Sequence, residues 1–421
     1  VLIHEFRYKG SELYCEGVRL SDLIKKVGTP CYVYSYKTFV DHLEGLKKAF
    51  GAVRPLICYS MKACSNLALI RALVKKGAGL DIVSGGELFR AQKIGCPPER
   101  IVFAGVGKND GEIKKALKVN ILLFNVESES ELNAIERIAA SLGKRARVAL
   151  RLNPNVGAGG HAYTTTGGYL SKFGIDFDTA RNIFLHRHRR PNVDICGVHV
   201  HIGSQILETK PFVEALKRTL TFIEEMRESR VKITHLDFGG GLGIIYNQEK
   251  AQSPANYAKS LVPLLKKSKC KIILEPGRFI SGNSGILLTR VQYIKPTAKK
   301  HFIIVDGAMN DLVRPALYGS FHDICPVKRN GRAHKVRADV VGPVCESGDF
   351  LAKDRNLPEV LEGEALAVLS AGAYGFSMSS NYNSRPRAPE VLVKGNKFYV
   401  IRSRESYEDL IRGEKIPGFL K

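Results

Sequence analysis

The sequence predicts a chain of the α/β + β class: a closed (β/α)8 TIM barrel followed by an antiparallel β domain, barrel or sandwich, that the N-terminal segment completes. Three observations predict it. Eight short apolar runs between residues 55 and 277 alternate with amphipathic helical stretches, and strands buried on both faces of a parallel sheet read as continuous apolar runs. After Arg278 the rhythm changes to strands separated by turns, with no long helix before SYEDLI. The length of 421 residues suits two domains, one of them a barrel of roughly 250 residues.

In chain order, residues 1–30 read as one or two short strands and a small helix ending at Thr29 and Pro30. CYVYSY (31–36) leads into a helix at 37–50, so the barrel domain is expected to span 31–280, leaving 1–30 and 281–421 to the β domain. The barrel strands are PLICYS (55–60), GLDIVS (79–84), IVFAGV (101–106), ILLFNV (121–126), RVALRLN (147–153), CGVHVHI (196–202), HLDFGGG (235–241) and KIILEPG (271–277), joined by seven helical connectors. A doubly wound open sheet is the competing reading. GILLTRVQYI, HFIIVDG, KVRADVVG, ALAVLSAG and EVLVKGNKFYVI supply the strands of the β domain.

Composition narrows the function classes. The formal net charge is +23, yet the basic residues are spread along the chain. The densest clusters, at 186–190, 264–271 and 295–301, lack the aromatic interleaving of a nucleic-acid surface. No nucleic-acid partner is expected. Nine cysteines, an odd number with no CxxC spacing, argue against a disulfide framework and a structural zinc site, and for a reducing cytoplasm. No apolar run approaches about 18 residues and VLIHEFRYKG lacks the regions of a signal peptide, so a protein with no membrane partner is expected.

The chemistry is expected at the C-terminal ends of the barrel strands. Lys62 follows PLICYS there, where an amine partly stripped of water becomes a nucleophile; the plainer reading is a solvated lysine beside a turn. Gly239, Gly240 and Gly241 end the seventh strand and are candidates for a phosphate cradle, although a tight turn explains three glycines equally well. Glu275 at the end of the eighth strand suits a protonated pyridine nitrogen, or a salt bridge to Arg278. His199 and His201 share one strand face, which raises a rival reading as a metal-dependent hydrolase; no carboxylate cluster is seen beside them, and no metal is expected. Asp81 lies inside the second strand, and Ser84 with Glu87 reads as a helix cap.

Taken together, YSMKAC (59–64), GLDIVSGGEL (79–88), GVHVHIGSQ (197–205), LDFGGGLG (236–243), EPGR (275–278), RPALYG (314–319), GPVCESGD (342–349) and GAYG (372–375) resemble the barrel-type pyridoxal-phosphate decarboxylases, the family that includes ornithine and arginine decarboxylases. The match runs through nearly the whole chain in order. It implies pyridoxal 5'-phosphate as cofactor, with Lys62 holding it covalently, His201 stacking on its ring and Glu275 at its pyridine nitrogen. Ser204, Gly240, Gly241, Tyr374 and the backbone of Glu275, Pro276, Gly277 and Arg278 would hold the phosphate. Arg278, Arg314, Tyr318, Glu346 and Tyr374 would bind the substrate, and Cys345 would return a proton after carbon dioxide leaves.

Within the family the resemblance is to the branch acting on meso-diaminopimelate. An ornithine-type chain would carry Asp and Gly after the cysteine; here Glu346 and Ser347 follow, which favours a substrate with an ammonium and a carboxylate on its distal carbon. Relatives acting on ornithine, arginine or carboxynorspermidine, and a racemase, stay open. The resemblance also implies a homodimer in which Cys345 and Glu346 reach the partner's barrel. The glycine-rich stretch 155–174 is long for a barrel connection; Lys172 is expected to pair with Asp349 across that dimer, and the role of His161 is left open.

Overall fold

A computed structural model describes residues 4–157, 172–331 and 334–420 of the protein. The chain divides into two compact units, one running from Val40 to Ile280 and one made of the segments before and after it. The first segment opens with a small antiparallel sheet of β1 (Phe6–Lys9), β2 (Glu12–Cys15) and β3 (Val18–Arg19), one strand more than expected, and a helix at Leu20–Val27. β4 (Cys31–Ser35) follows.

The Val40–Ile280 unit is the barrel. Its strands are β5 (Leu56–Ser60), β6 (Gly79–Ile82), β7 (Ile101–Phe103), β8 (Leu123–Val126), β9 (Ala146–Arg151), β10 (Val193–His199), β11 (His235–Asp237) and β12 (Lys271–Leu274). All neighbours pair in parallel and β12 closes onto β5, so the sheet is a closed barrel and the open-sheet alternative falls away. Capping side chains set where the connecting helices begin. Asn66, Ser84, Asn109, Ser128, Asp176 and Ser253 each accept a backbone N–H of the first turn; before the first four the strand-to-helix loop is short, and before Asp176 and Ser253 it is long. Cys58, Val102, Leu123, Cys196 and Ile273 pack together as buried core. Leu123 is fully buried, so Leu123→Ala is expected to cost ~2–5 kcal/mol, read as a lower urea midpoint for unfolding of the barrel unit.

The other unit is built on β13 (Gly285–Pro296), β14 (His301–Val305), β15 (Ile324–Pro326), β16 (Lys335–Val341), β17 (Phe350–Pro358), β18 (Ala365–Val368), β19 (Glu390–Lys394) and β20 (Lys397–Arg402). The sheet is mainly antiparallel, with two parallel pairs, β14 with β16 and β19 with β4. β4 lies between β13 and β19. The expected barrel start at residue 31 is therefore corrected: Cys31–Ser35 finds its backbone partners in this sheet, and the division falls after Phe39. Phe6, Leu13, Leu20 and Leu23 share one core with Val33, Ile286, Leu288, Val391 and Val393, which is how the N-terminal segment completes the unit. The nine cysteines are free thiols. Among the described residues no helix is long and apolar enough to cross a membrane.

Candidate active site

Among the described residues, eight polar side chains stand at or next to the C-terminal ends of the barrel strands: Ser60, Asp81, Asn125, Glu127, Arg151, His199, Asp237 and Glu275. All eight are buried. Burial of so many polar groups is costly unless they engage one another or a ligand, and most do engage one another. Lys62 follows β5 in the turn Met61–Ala63, with Nζ 3.9 Å from Asp81 Oδ2 and its side chain 43% exposed against 1% for Asp81. Ser60 Oγ donates to the same Asp81 oxygen at 2.6 Å. The amine is thus drawn toward a buried carboxylate while remaining open to an incoming molecule. Ser84 Oγ accepts the Glu87 N–H at 3.2 Å and Glu87 Oε2 accepts the Val83 N–H at 2.8 Å, so this pair caps a helix as expected.

Glu275 is the hub of the mouth. Its Oε1 accepts from Asn125 Nδ2 at 3.0 Å, and its Oε2 lies 3.1 Å from His199 Nε2. The same Asn125 amide donates to Asp237 Oδ2 at 3.1 Å, while Asp237 Oδ1 accepts the Gly239 N–H at 3.0 Å. Burial foremost, with the neighbouring charge of Asp81, pushes the Glu275 carboxyl up to about 8. Burial, then the charge of Glu275, pushes Asp237 well above the usual carboxylate range. Burial holds His199 down at about 4 and His201 well below the ordinary imidazole range, so both rings are neutral.

These shifts predict a pH dependence. An unfolded glutamate gives up its proton near 4.5, whereas folded Glu275 does so near 8. Across that window the folded chain holds a proton that the unfolded chain has lost, so stability falls as pH rises. In the cofactor-free protein, Glu275→Gln is expected to flatten the decline of Tm with pH between about pH 5 and pH 8. An unchanged slope would remove Glu275 as its source.

The expectation that no carboxylates accompany the histidine pair is corrected. His199, Asp237 and Glu275 bring potential ligand atoms within 4.8 Å of one another. The hydrogen bonds through Asn125 and His199 account for that closeness without an ion. His201 Nδ1 accepts the Gly240 N–H at 3.3 Å, which ties it to the glycine turn instead.

The glycine turn and the end of β12 are locked together. A Cβ at Gly240 would lie 2.2 Å from the carbonyl oxygen of Glu275, and Gly241 has φ +106° with Gly203 O 2.6 Å from its would-be Cβ. Only glycine fits at either position. Ser60 N–H donates to Pro276 O at 3.1 Å, and a Cβ on Gly277 would sit 3.1 Å from that of Ser60, so the Lys62 turn and the Glu275–Arg278 segment lie side by side. The Arg278 guanidinium donates to Ser204 Oγ (3.0 and 3.3 Å) and to the Tyr246 hydroxyl (2.7 Å). The structure therefore brings Lys62, His201, Ser204, Gly240, Gly241, Glu275, Pro276, Gly277 and Arg278 to one barrel end.

The remaining candidates lie in the β unit. Arg314 is buried and donates to Ala373 O (3.4 Å) and Ser320 Oγ (3.1 Å), which places it beside Tyr374, a residue with φ 56°. Tyr318 ends the helix Arg314–Tyr318. Cys345 and Glu346 are exposed on the turn between β16 and β17. The expected Lys172–Asp349 pair is not supported: Asp349 is 4% exposed and its two oxygens accept the Met309 and Val344 N–H groups, each at 2.7 Å. His161 lies outside the described residues.

Sequence reasoning missed Asn125, Asp237, Arg151 and Tyr246, and gave Asp81 too little weight. For the first three the signal was present. Each is a polar residue near the end of an otherwise apolar strand (LFNV, HLD, ARVALR), and a buried polar group demands a partner. Tyr246 sits in a connecting segment that no pattern marks.

The family model of the pyridoxal-dependent decarboxylases, pyridoxal binding domain, matches residues 36–282. The chain belongs to this family. It is 51% identical to the diaminopimelate decarboxylase of Aquifex aeolicus over 405 residues, 96% of each chain. With the diaminopimelate decarboxylase of Vibrio cholerae it shares 47% identity over 408 residues, 96% of this chain and 97% of the relative. The solved M. jannaschii diaminopimelate decarboxylase, in complex with L-lysine, is similar with a TM-score of 0.94 at 36% identity, covering 99% of both chains. The Helicobacter pylori enzyme of that name, also complexed with L-lysine, gives 0.90 at 42% identity over 93% of this chain and 98% of that one.

Proposed function

We propose that this protein is a diaminopimelate decarboxylase, which removes carbon dioxide from meso-2,6-diaminopimelate to leave L-lysine. The observation that carries the reading is identity of 51% across 96% of both chains with a relative of that name. The barrel mouth fits pyridoxal phosphate: an amine for its aldehyde, a carboxylate for its ring nitrogen and a glycine turn for its phosphate. Asp81 Oδ1, Asn125 Oδ1 and His199 Nδ1 are buried there with no partner among the described residues, as groups awaiting a polar ligand would be.

Lys62 would hold the cofactor through its ε-amine. Ser204, Gly240, Gly241, Tyr374 and the Glu275–Arg278 backbone would hold its phosphate, and the neutral ring of His201 would lie beside it. When bound, the group would supply an electron sink for cleavage of the carbon–carbon bond. Glu275 would stabilise the ring-nitrogen proton in its ionised form, a state that a nearby positive charge favours despite the carboxyl's burial. Asn125 and His199 hold Glu275 in place, and the same Asn125 amide ties in Asp237. Arg278, Arg314 and Tyr318 orient the substrate's distal carboxylate, and Glu346 takes its distal ammonium. The Cys345 thiol gives its proton to the carbon that lost the carboxyl group.

The test is carbon dioxide release from meso-diaminopimelate, ornithine and arginine side by side. Turnover confined to the first is expected. Comparable rates on ornithine or arginine would move the substrate to a related decarboxylase, and exchange at the α-carbon without carbon dioxide would point to a racemase. The protein is also proposed to work as a homodimer with shared sites in the cytoplasm, where its nine free thiols stay reduced. A solution mass matching one 46.5 kDa chain, or recovery outside the cytoplasmic fraction, would overturn those two points respectively.

A further inference from the structure

The turn between β16 and β17 carries Cys345 and Glu346, and its own hydrogen bonds settle only part of its shape. Asp349 fixes one side by accepting the Val344 N–H at 2.7 Å, and the Glu346 N–H closes a tight turn on Val344 O at 2.8 Å. The N–H of Cys345 reaches out of the turn to Asn383 Oδ1, 2.9 Å away and 38 residues on. Asn383 thus holds the backbone of Cys345 from outside the turn.

The gripping segment is itself held in a disfavoured shape. Asn383 (φ 55°, ψ 31°) and Ser384 (φ 53°) are both left-handed without being glycine. Such backbone persists only where its surroundings fix it, and asparagine tolerates it better than most residues. Those surroundings are the Ser380 N–H on Asn310 O (2.9 Å) and the Asn381 amide on Arg385 O (3.1 Å) and Glu405 Oε2 (2.6 Å). Anchored on both flanks, the turn presents the Asn383 amide oxygen to the Cys345 N–H.

We propose that Asn383 is a positioning residue, which sets the Cys345 thiol where it delivers its proton. The inference rests on the role given to Cys345 above. In the step concerned the S–H bond breaks and a C–H bond forms, and solvent returns a proton to the thiolate. The grip acts on the proton-return step and not on substrate binding, so its loss shows in kcat and not in KM.

The experiment is steady-state kinetics of the holoenzyme on meso-diaminopimelate. Asn383→Ala is expected to lower kcat about tenfold with KM within about twofold. Asn383→Asp keeps the accepting oxygen and is expected to recover kcat to within about threefold of wild type. In a Cys345→Ala background, Asn383→Ala is expected to add nothing. The inference is overturned if Asn383→Ala leaves kcat unchanged, if it acts equally without the thiol, or if it lowers kcat and raises KM together. Full turnover by Cys345→Ala alone is a separate result: it removes the donor role of Cys345 itself.

Discussion

Lys62→Ala is expected to fold and to lose both the visible absorption of the bound cofactor and its turnover. The side chain is 43% exposed and its nearest acidic partner is 3.9 Å away, so truncation opens no core cavity. Asp81 keeps the Ser60 hydroxyl at 2.6 Å. What disappears is the partly exposed amine beside Asp81 at the barrel mouth, and with it the expected covalent hold on the aldehyde. The loss is expected to exceed the roughly 10²–10⁴-fold that a single acid–base group contributes, because binding and chemistry fail together. Absorbance between binding and turnover assays checks both; an absorption band that survives the substitution would put the covalent link elsewhere.

Cys345→Ala is expected to give the complementary result, an intact absorption band with turnover down by on the order of 10²–10⁴-fold. Cys345 is the exposed thiol of the nine, the others being buried or partly buried, so its removal leaves packing untouched. Near-normal turnover would exclude it as proton donor. The two variants also test the shared site. If each site takes Lys62 from one chain and Cys345 from its partner, half of the randomly re-paired dimers carry one intact site, and mixing two inactive proteins restores roughly a quarter of wild-type turnover. No recovery on mixing would confine each site to one chain.

The barrel was legible because its strands are buried on both faces and therefore mainly apolar, with polar residues gathered near their C-terminal ends. The same property misassigned β4. All five residues of Cys31–Ser35 are buried, just as in a barrel strand, and only the pairing partners reveal that the strand belongs to a mixed sheet. Those partners lie in β13 and β19, far along the chain, and no local pattern reports a long-range pairing. The parallel pairs of that sheet escaped notice for the same reason. In the site, Lys62, the glycine turn and Glu275 were readable because strand ends concentrate chemistry in this fold. The Asn125 link to Glu275 spans 150 residues and required the closed barrel to be seen. The left-handed backbone at Asn383 left no trace in composition, since an asparagine in a polar stretch is ordinary.

The placement of β4 also bears on how the protein is made. This strand leaves the ribosome early, but its partner β19 starts at Glu390, 355 residues after Ser35 (390 − 35). At typical elongation rates that delay is roughly 20–70 s. Until β13 is made from Gly285 onward this buried strand has neither sheet neighbour, and until Glu390 it lacks one of the two, while the barrel between them is free to form first. Nascent chains stalled before Glu390 should therefore be bound by chaperones or clipped by proteases near Cys31–Ser35.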